Sequence, residues 1–218
     1  MWAVMWAVLT ASDGSMSDTE GQEGGAPSRW AAGWLRRARR CESPNFGVRP
    51  PGMGVDLVLI HSISLPPGEY ATGAIERLFT NRLDCGTHPY YKQLRGLEVS
   101  AHFVVLRDGE LVQFVSCDRR AWHAGTSHWQ GRSDCNDFSI GIELEGLEGA
   151  SFEPVQYLAL GRLMQDIAEA HGEVSVAGHE HVAPGRKHDP GGGFDWPLLI
   201  ALLGWPAPNF PDGVGEAG

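Results

Sequence analysis

Six residues constrain this chain most: Val55-Asp56-Leu57-Val58-Leu59-Ile60, closed by His61 and followed by the breaker Pro66-Pro67-Gly68. A strand sends alternate side chains to opposite faces, so a run that is apolar at nearly every position buries both faces. Such a strand belongs in the interior of a sheet that is covered on both sides, and this one ends in a histidine.

The neighbouring segments supply the rest of that sheet and its cover. Ala101–Leu106 and Glu110–Val115 flank Asp108-Gly109, a strong hairpin signal between two alternating runs. Phe138–Glu145 reads as a further strand. Its period of two puts Ile140, Ile142 and Leu144 on one face and Gly141, Glu143 and Glu145 on the other. A helix opens at Pro154, carries Tyr157, Leu160, Leu163, Met164 and Ile167 at three- and four-residue spacing, and stops at Gly172. Another is capped by Asp195 and ends at Gly204, and a shorter one spans Gly73 to Phe79. Strands come early and paired while helices come late, which predicts an α+β fold: a single domain with a central mixed β-sheet flanked by helices. The domain is expected over residues 31–210, between a disordered extension at 1–30 and a flexible tail at 211–218.

Composition removes several classes of function. With 17 basic against 27 acidic residues the formal charge is −10, which disfavours nucleic acid as a partner. No apolar run approaches the roughly 18 residues of a membrane span. The apolar start MWAVMWAVLTAS has no positive region ahead of it, and the first basic residue is Arg29, so the expectation is a cytoplasmic protein. Cys41, Cys85, Cys117 and Cys135 form no C-x-x-C pair and read as free thiols, filling space as small apolar groups.

Nine histidines are many for an acidic chain. Zinc takes imidazole and carboxylate ligands, and a catalytic zinc keeps one position open for water. No H-E-x-x-H helix exists, so ligands must come from separate elements. The candidates are His61 and the cluster Gly178-His179-Glu180-His181 with Lys187-His188-Asp189-Pro190. Extended backbone ahead of Pro190 puts Lys187 and Asp189 on one face and His188 on the other. A carboxylate ligand beside a lysine suits a site where negative charge grows on a bound oxygen. A glutamate from the 138–145 strand, either Glu143 or Glu145, could act as the base, the bland alternative for Glu145 being a solvated strand-end charge.

The stretches VLIHSISLPPGEY (58–70), SAHFVVLRDGELVQFV (100–115), RAWHAGTSHWQGRSDCNDFSIGIELEG (120–146) and GHEHVAPGRKHDPGGGFDW (178–196) closely resemble the AmpD-type zinc amidases. These are the 1,6-anhydro-N-acetylmuramyl-L-alanine amidases of bacterial cell-wall recycling, within the wider N-acetylmuramoyl-L-alanine amidase family. The likeness runs from about Gly33 to Trp196. It implies zinc ligands at His61, His179 and Asp189, a catalytic glutamate at Glu143 and a catalytic lysine at Lys187. It thereby separates Glu143 from Glu145 and His179 from His181. The family's recurrent histidines fall on His102 and His123, as pocket or structural residues. Glu98 and Asp134 are acidic where basic residues able to meet a peptide carboxylate are expected, which leaves Arg95 or Arg132 for that role.

The resemblance implies Zn2+-dependent cleavage of the amide between anhydro-N-acetylmuramic acid and L-alanine in soluble muropeptides; a monomer is expected, and composition argues against a nucleic-acid or membrane partner. Two other readings stand beside it: a module of the same fold that binds peptidoglycan without cutting it, and an exported amidase acting on polymeric wall. Gly191-Gly192-Gly193 next to Asp189 reads as a hinge for a moving lid.

Overall fold

The computed structural model describes residues 28–215. Its centre is a six-stranded mixed sheet built from β1 (Arg39–Arg40), β2 (Leu57–Ile63), β3 (Phe103–Val105), β4 (Leu111–Gln113), β5 (Ser139–Glu145) and β6 (Ser175–Gly178), in the order β6-β2-β5-β3-β4-β1. β2 lies between β6 and β5, parallel to both. β3 continues the parallel run from β5, and the Asp108-Gly109 hairpin turns the chain into antiparallel β4.

The apolar run behaves as its pattern requires. Val58 and Ile60 join the core beneath α2 (Pro154–His171) and α4 (Trp196–Leu203), with Ile140, Ile142, Leu144, Leu160, Leu163 and Leu199. Leu57 and Leu59 face the other way, onto Ala124, Phe138 and Val182. A separate cluster of Val104, Val112 and Phe114 against Ile75, Leu78 and Phe79 buries α1 (Ala74–Phe79). Every one of these core side chains is almost fully removed from water, and each of the larger ones contributes on the order of 2 kcal/mol of apolar burial.

Helix ends follow the sequence closely. Pro154 is the first residue of α2, and the Asp195 carboxylate accepts from Leu198 N at 2.8 Å to cap α4. Gly204 ends α4 in the left-handed region.

Some expectations need correction. β2 does not end at His61 but continues to Ile63, whose carbonyl accepts from Gly146 N. The four-residue β6 is too short to leave a periodic signal, and the two-residue β1 is shorter still. The glycine run at 191–193 is a close crossing: a Cβ on Gly193 would lie 2.3 Å from the carbonyl oxygen of Ala150. Close packing is a reason for glycine at 193. The segment expected to be disordered lies mainly outside the described residues. Within them, Arg29 pairs with Asp166 at 2.8 Å and Trp30 packs on the main core. All four cysteines are free, with Cys117 and Cys135 buried. Among the described residues no helix is long and apolar enough to cross a membrane.

Candidate metal centre and cleft

Register assembles the site. Across the β2–β5 ladder Glu143 stands opposite His61, and across β2–β6 Gly178 stands opposite Ile60, which brings His179 beside His61. These residues therefore meet at the carboxyl ends of three parallel strands, where open sheets place their ligands. Period two along β5 turns Glu143 away from the helix-covered face and into the same cleft. Asp189 and Lys187 enter from the loop after the short helix α3 (His179–Val182), both lining the cleft, while His188 points out to solvent.

His61 Nδ1 lies 3.0 Å from His179 Nδ1 and 3.0 Å from Asp189 Oδ2, and the third side of the triangle is 3.2 Å. All three residues are buried. Ligands at 2.0–2.1 Å in a tetrahedral arrangement stand about 3.3 Å apart, so the triangle has the dimensions of a zinc site. The donor set fits as well. His179 Nε2 lies 3.0 Å from the Ala124 carbonyl oxygen, which can only accept, so the ring proton sits on Nε2 and Nδ1 offers a bare lone pair. Lone pairs converging beside a carboxylate call for a cation between them. Burial pushes the His61 imidazole down to about 4, which keeps it neutral as a metal ligand must be. Among the described residues this is the group of histidine and acid side chains placed to hold a metal.

Glu143 is the other unusual group. Its side chain is buried and Oε2 has no hydrogen-bond partner. Burial, reinforced by the negative charge of Asp189, raises its carboxyl well above the ordinary range, and the Lys187 ammonium offsets part of that. A carboxyl so placed is suited to take and return a proton. The cleft has a volume of about 330 Å³, and beyond the polar end it is walled by Leu65, Phe79, Tyr90, Leu94 and Trp122.

The remaining candidates resolve differently. Glu145 is buried rather than solvated: it accepts from Ala71 N at 2.7 Å and Arg107 N at 3.2 Å, tying two loops together. His181 Nδ1 accepts from Gly178 N at 2.9 Å and its ring packs edge-on against Trp196, away from the triangle. His102 is structural, bonded to Gly141 N and the Arg119 carbonyl. His123 lines the cleft, with Nδ1 3.0 Å from His61 Nε2. Glu98, Asp134, Arg95 and Arg132 do not line it, and Arg132 pairs instead with Asp56 while lying over the Phe138 ring. Ala124 and Asn136 support the site through backbone and amide groups, for which no residue-type signal exists in the chain.

Comparison with known proteins agrees with this geometry. The family model described as N-acetylmuramoyl-L-alanine amidase matches residues 51–192. The 1,6-anhydro-N-acetylmuramyl-L-alanine amidase AmpD of Escherichia coli (strain K12) is 46% identical over 173 residues, covering 78% of this chain and 94% of that protein. Its namesake from Haemophilus influenzae is 41% identical over 174 residues, covering 78% and 95%. A crystal structure of an AmpD derivative superposes with a TM-score of 0.78 at 45% identity, over 79% of this chain and 98% of that one. The E. coli amidase AmiD, solved with anhydro-N-acetylmuramic acid-L-Ala-D-gamma-Glu-L-Lys, is more distant. It has a TM-score of 0.51 at 29% identity, over 68% of this chain and 57% of that one. Since the matched region contains the triangle, Glu143 and Lys187 together, the chain belongs to the N-acetylmuramoyl-L-alanine amidase family.

Proposed function

We propose that this amidase hydrolyses the bond between the lactyl carbonyl of anhydro-N-acetylmuramic acid and L-alanine, acting as a cytoplasmic monomer on soluble muropeptides returned during cell-wall recycling. The observation that carries the reading is the 3.0–3.2 Å triangle of His61, His179 and Asp189 beside the unpartnered carboxyl of Glu143. The relatives' names support the substrate, as does the anhydro-muropeptide seen in the AmiD complex.

His61, His179 and Asp189 would hold a zinc ion, whose Lewis acidity would activate both the amide carbonyl and the attacking water. Glu143 accepts a proton from that water as its oxygen bonds to the carbonyl carbon. The Lys187 ammonium stabilises the negative charge that grows on the former carbonyl oxygen. Glu143 then delivers its proton to the alanine nitrogen as the carbon–nitrogen bond breaks, leaving a free peptide amine and a lactyl carboxylic acid that loses its remaining proton to solvent. The apolar wall offers the bound substrate a surface to pack against beside the polar end.

The test is release of free tripeptide from anhydro-muramyl tripeptide, followed by mass spectrometry, with intact sacculi as the competing substrate. Chelation should abolish release, and Glu143→Gln should slow it by about 10²- to 10⁴-fold. Undiminished release after either treatment would refute the mechanism. Faster cleavage of sacculi than of the soluble substrate would refute the recycling role.

A further inference from the structure

Two consecutive residues hold both histidines of the triangle from behind. His61 Nε2 lies 3.0 Å from His123 Nδ1, and His179 Nε2 lies 3.0 Å from the Ala124 carbonyl oxygen. His123 Nε2 faces Ser139 Oγ at 3.4 Å. With its proton on that nitrogen, His123 Nδ1 is free to accept from His61, and both metal-facing rings would then carry their hydrogen on Nε2 and turn Nδ1 inward. The His123 ring fits because residue 141 is glycine: a Cβ there would stand 2.5 Å from it.

The loop does not hold this arrangement unaided. Oδ1 of Asn136 accepts from both of its N–H groups, at 3.1 Å from His123 N and 2.8 Å from Ala124 N. Asn136 is buried in the 3₁₀ turn Cys135–Asp137, directly ahead of β5. One oxygen thus joins the strand that bears Glu143 to the backbone that sets both imidazoles. The Asn136 side chain forms no hydrogen bond to either histidine itself, so its effect passes through the loop.

We propose that Asn136 is a positioning residue for the metal triangle: by pinning His123 and Ala124 it sets the tautomer and ring orientation of both His61 and His179. This rests on the zinc reading above. Groups behind metal ligands contribute about tenfold to a hundredfold to metal affinity, and here one residue governs two ligands.

The experiment measures zinc affinity by competition with a chromophoric chelator, together with thermal unfolding of the metal-free protein. Asn136→Leu removes the acceptor at similar volume and should weaken zinc binding about tenfold to a hundredfold, whereas Asn136→Asp keeps the oxygen and should bind like wild type. A second pair, His123→Leu and His123→Asn, covers the case in which Asn136→Leu does not fold. The asparagine oxygen replaces His123 Nδ1 as acceptor, so His123→Asn should bind zinc more tightly than His123→Leu. Equal zinc affinities of Asn136→Leu and Asn136→Asp, with the metal-free variants folded, would overturn the proposal; if Asn136→Leu does not fold, equal affinities of His123→Leu and His123→Asn would overturn it. Failure of the wild-type protein to bind zinc would instead overturn the zinc reading, and this inference with it.

Discussion

Replacing His102 with asparagine should leave a pH-dependent signature in stability. His102 is fully buried, and Gly141 N donates to its Nδ1 at 3.0 Å, so the ring proton sits on Nε2 and is given to the Arg119 carbonyl. A second proton would have to go on Nδ1, where it would face that N–H, inside the core and next to the Arg49 guanidinium. Burial first, and then the Arg49 charge, push its pKa down to about 3. An unfolded histidine titrates near 6.5, so between those two values the unfolded chain binds the extra proton. Stability is therefore complete above about pH 6.5 and is lost as pH falls, until the loss levels off near the folded value.

At pH 5 the loss from this residue is RT ln(1 + 10^1.5), about 2 kcal/mol, and at pH 8 it is negligible. His102→Asn keeps an acceptor for Gly141 N but gives up the bond to Arg119, costing about 1–3 kcal/mol at pH 8. Because the variant no longer titrates here, its deficit against wild type should shrink by about 2 kcal/mol at pH 5. Urea unfolding of both metal-free proteins, followed by tryptophan fluorescence at the two pH values, measures it. The other titrating groups are common to both proteins and cancel. A deficit of the same size at pH 5 and pH 8 would show that His102 is not held neutral by its surroundings.

Lys187→Met should lower kcat on anhydro-muramyl tripeptide by about 10²- to 10³-fold while zinc affinity holds, and a parallel loss of zinc would make the lysine a structural prop instead. His181→Ala should keep wild-type zinc affinity but lower the thermal midpoint, since it strands Gly178 N at a cost of about 1–3 kcal/mol. Loss of zinc in that variant would move the ligand role from His179 to His181. Asp195→Ala removes the N-cap of α4 and should cost about 1 kcal/mol in chemical unfolding without changing turnover.

Much of this protein is written locally. Leu57–Ile60 is apolar on both faces and lies in an interior strand, with Val58 and Ile60 in one core and Leu57 and Leu59 in another. Asp108-Gly109 makes a turn, Pro154 and Asp195 begin helices, and Gly172 and Gly204 end them, because each depends on backbone preferences within a few residues. The long motifs likewise carried the family likeness. Glu145 shows where such reasoning stops: its alternation places it on the cleft face, but the backbone N–H groups that bury it come from positions 71 and 107.

Tertiary structure alone decided which atoms meet. The triangle joins side chains 118 and 128 positions apart, and its dimensions follow from parallel register between strands that never adjoin in sequence. Residue type announces that His61 can bind a metal. Whether Nδ1 or Nε2 does so depends on which acceptor lies behind the ring, and those acceptors, at His123 and Ala124, arrive from a distant loop. Short-range chemistry acts along the chain, whereas a coordination geometry is a condition on distances across it.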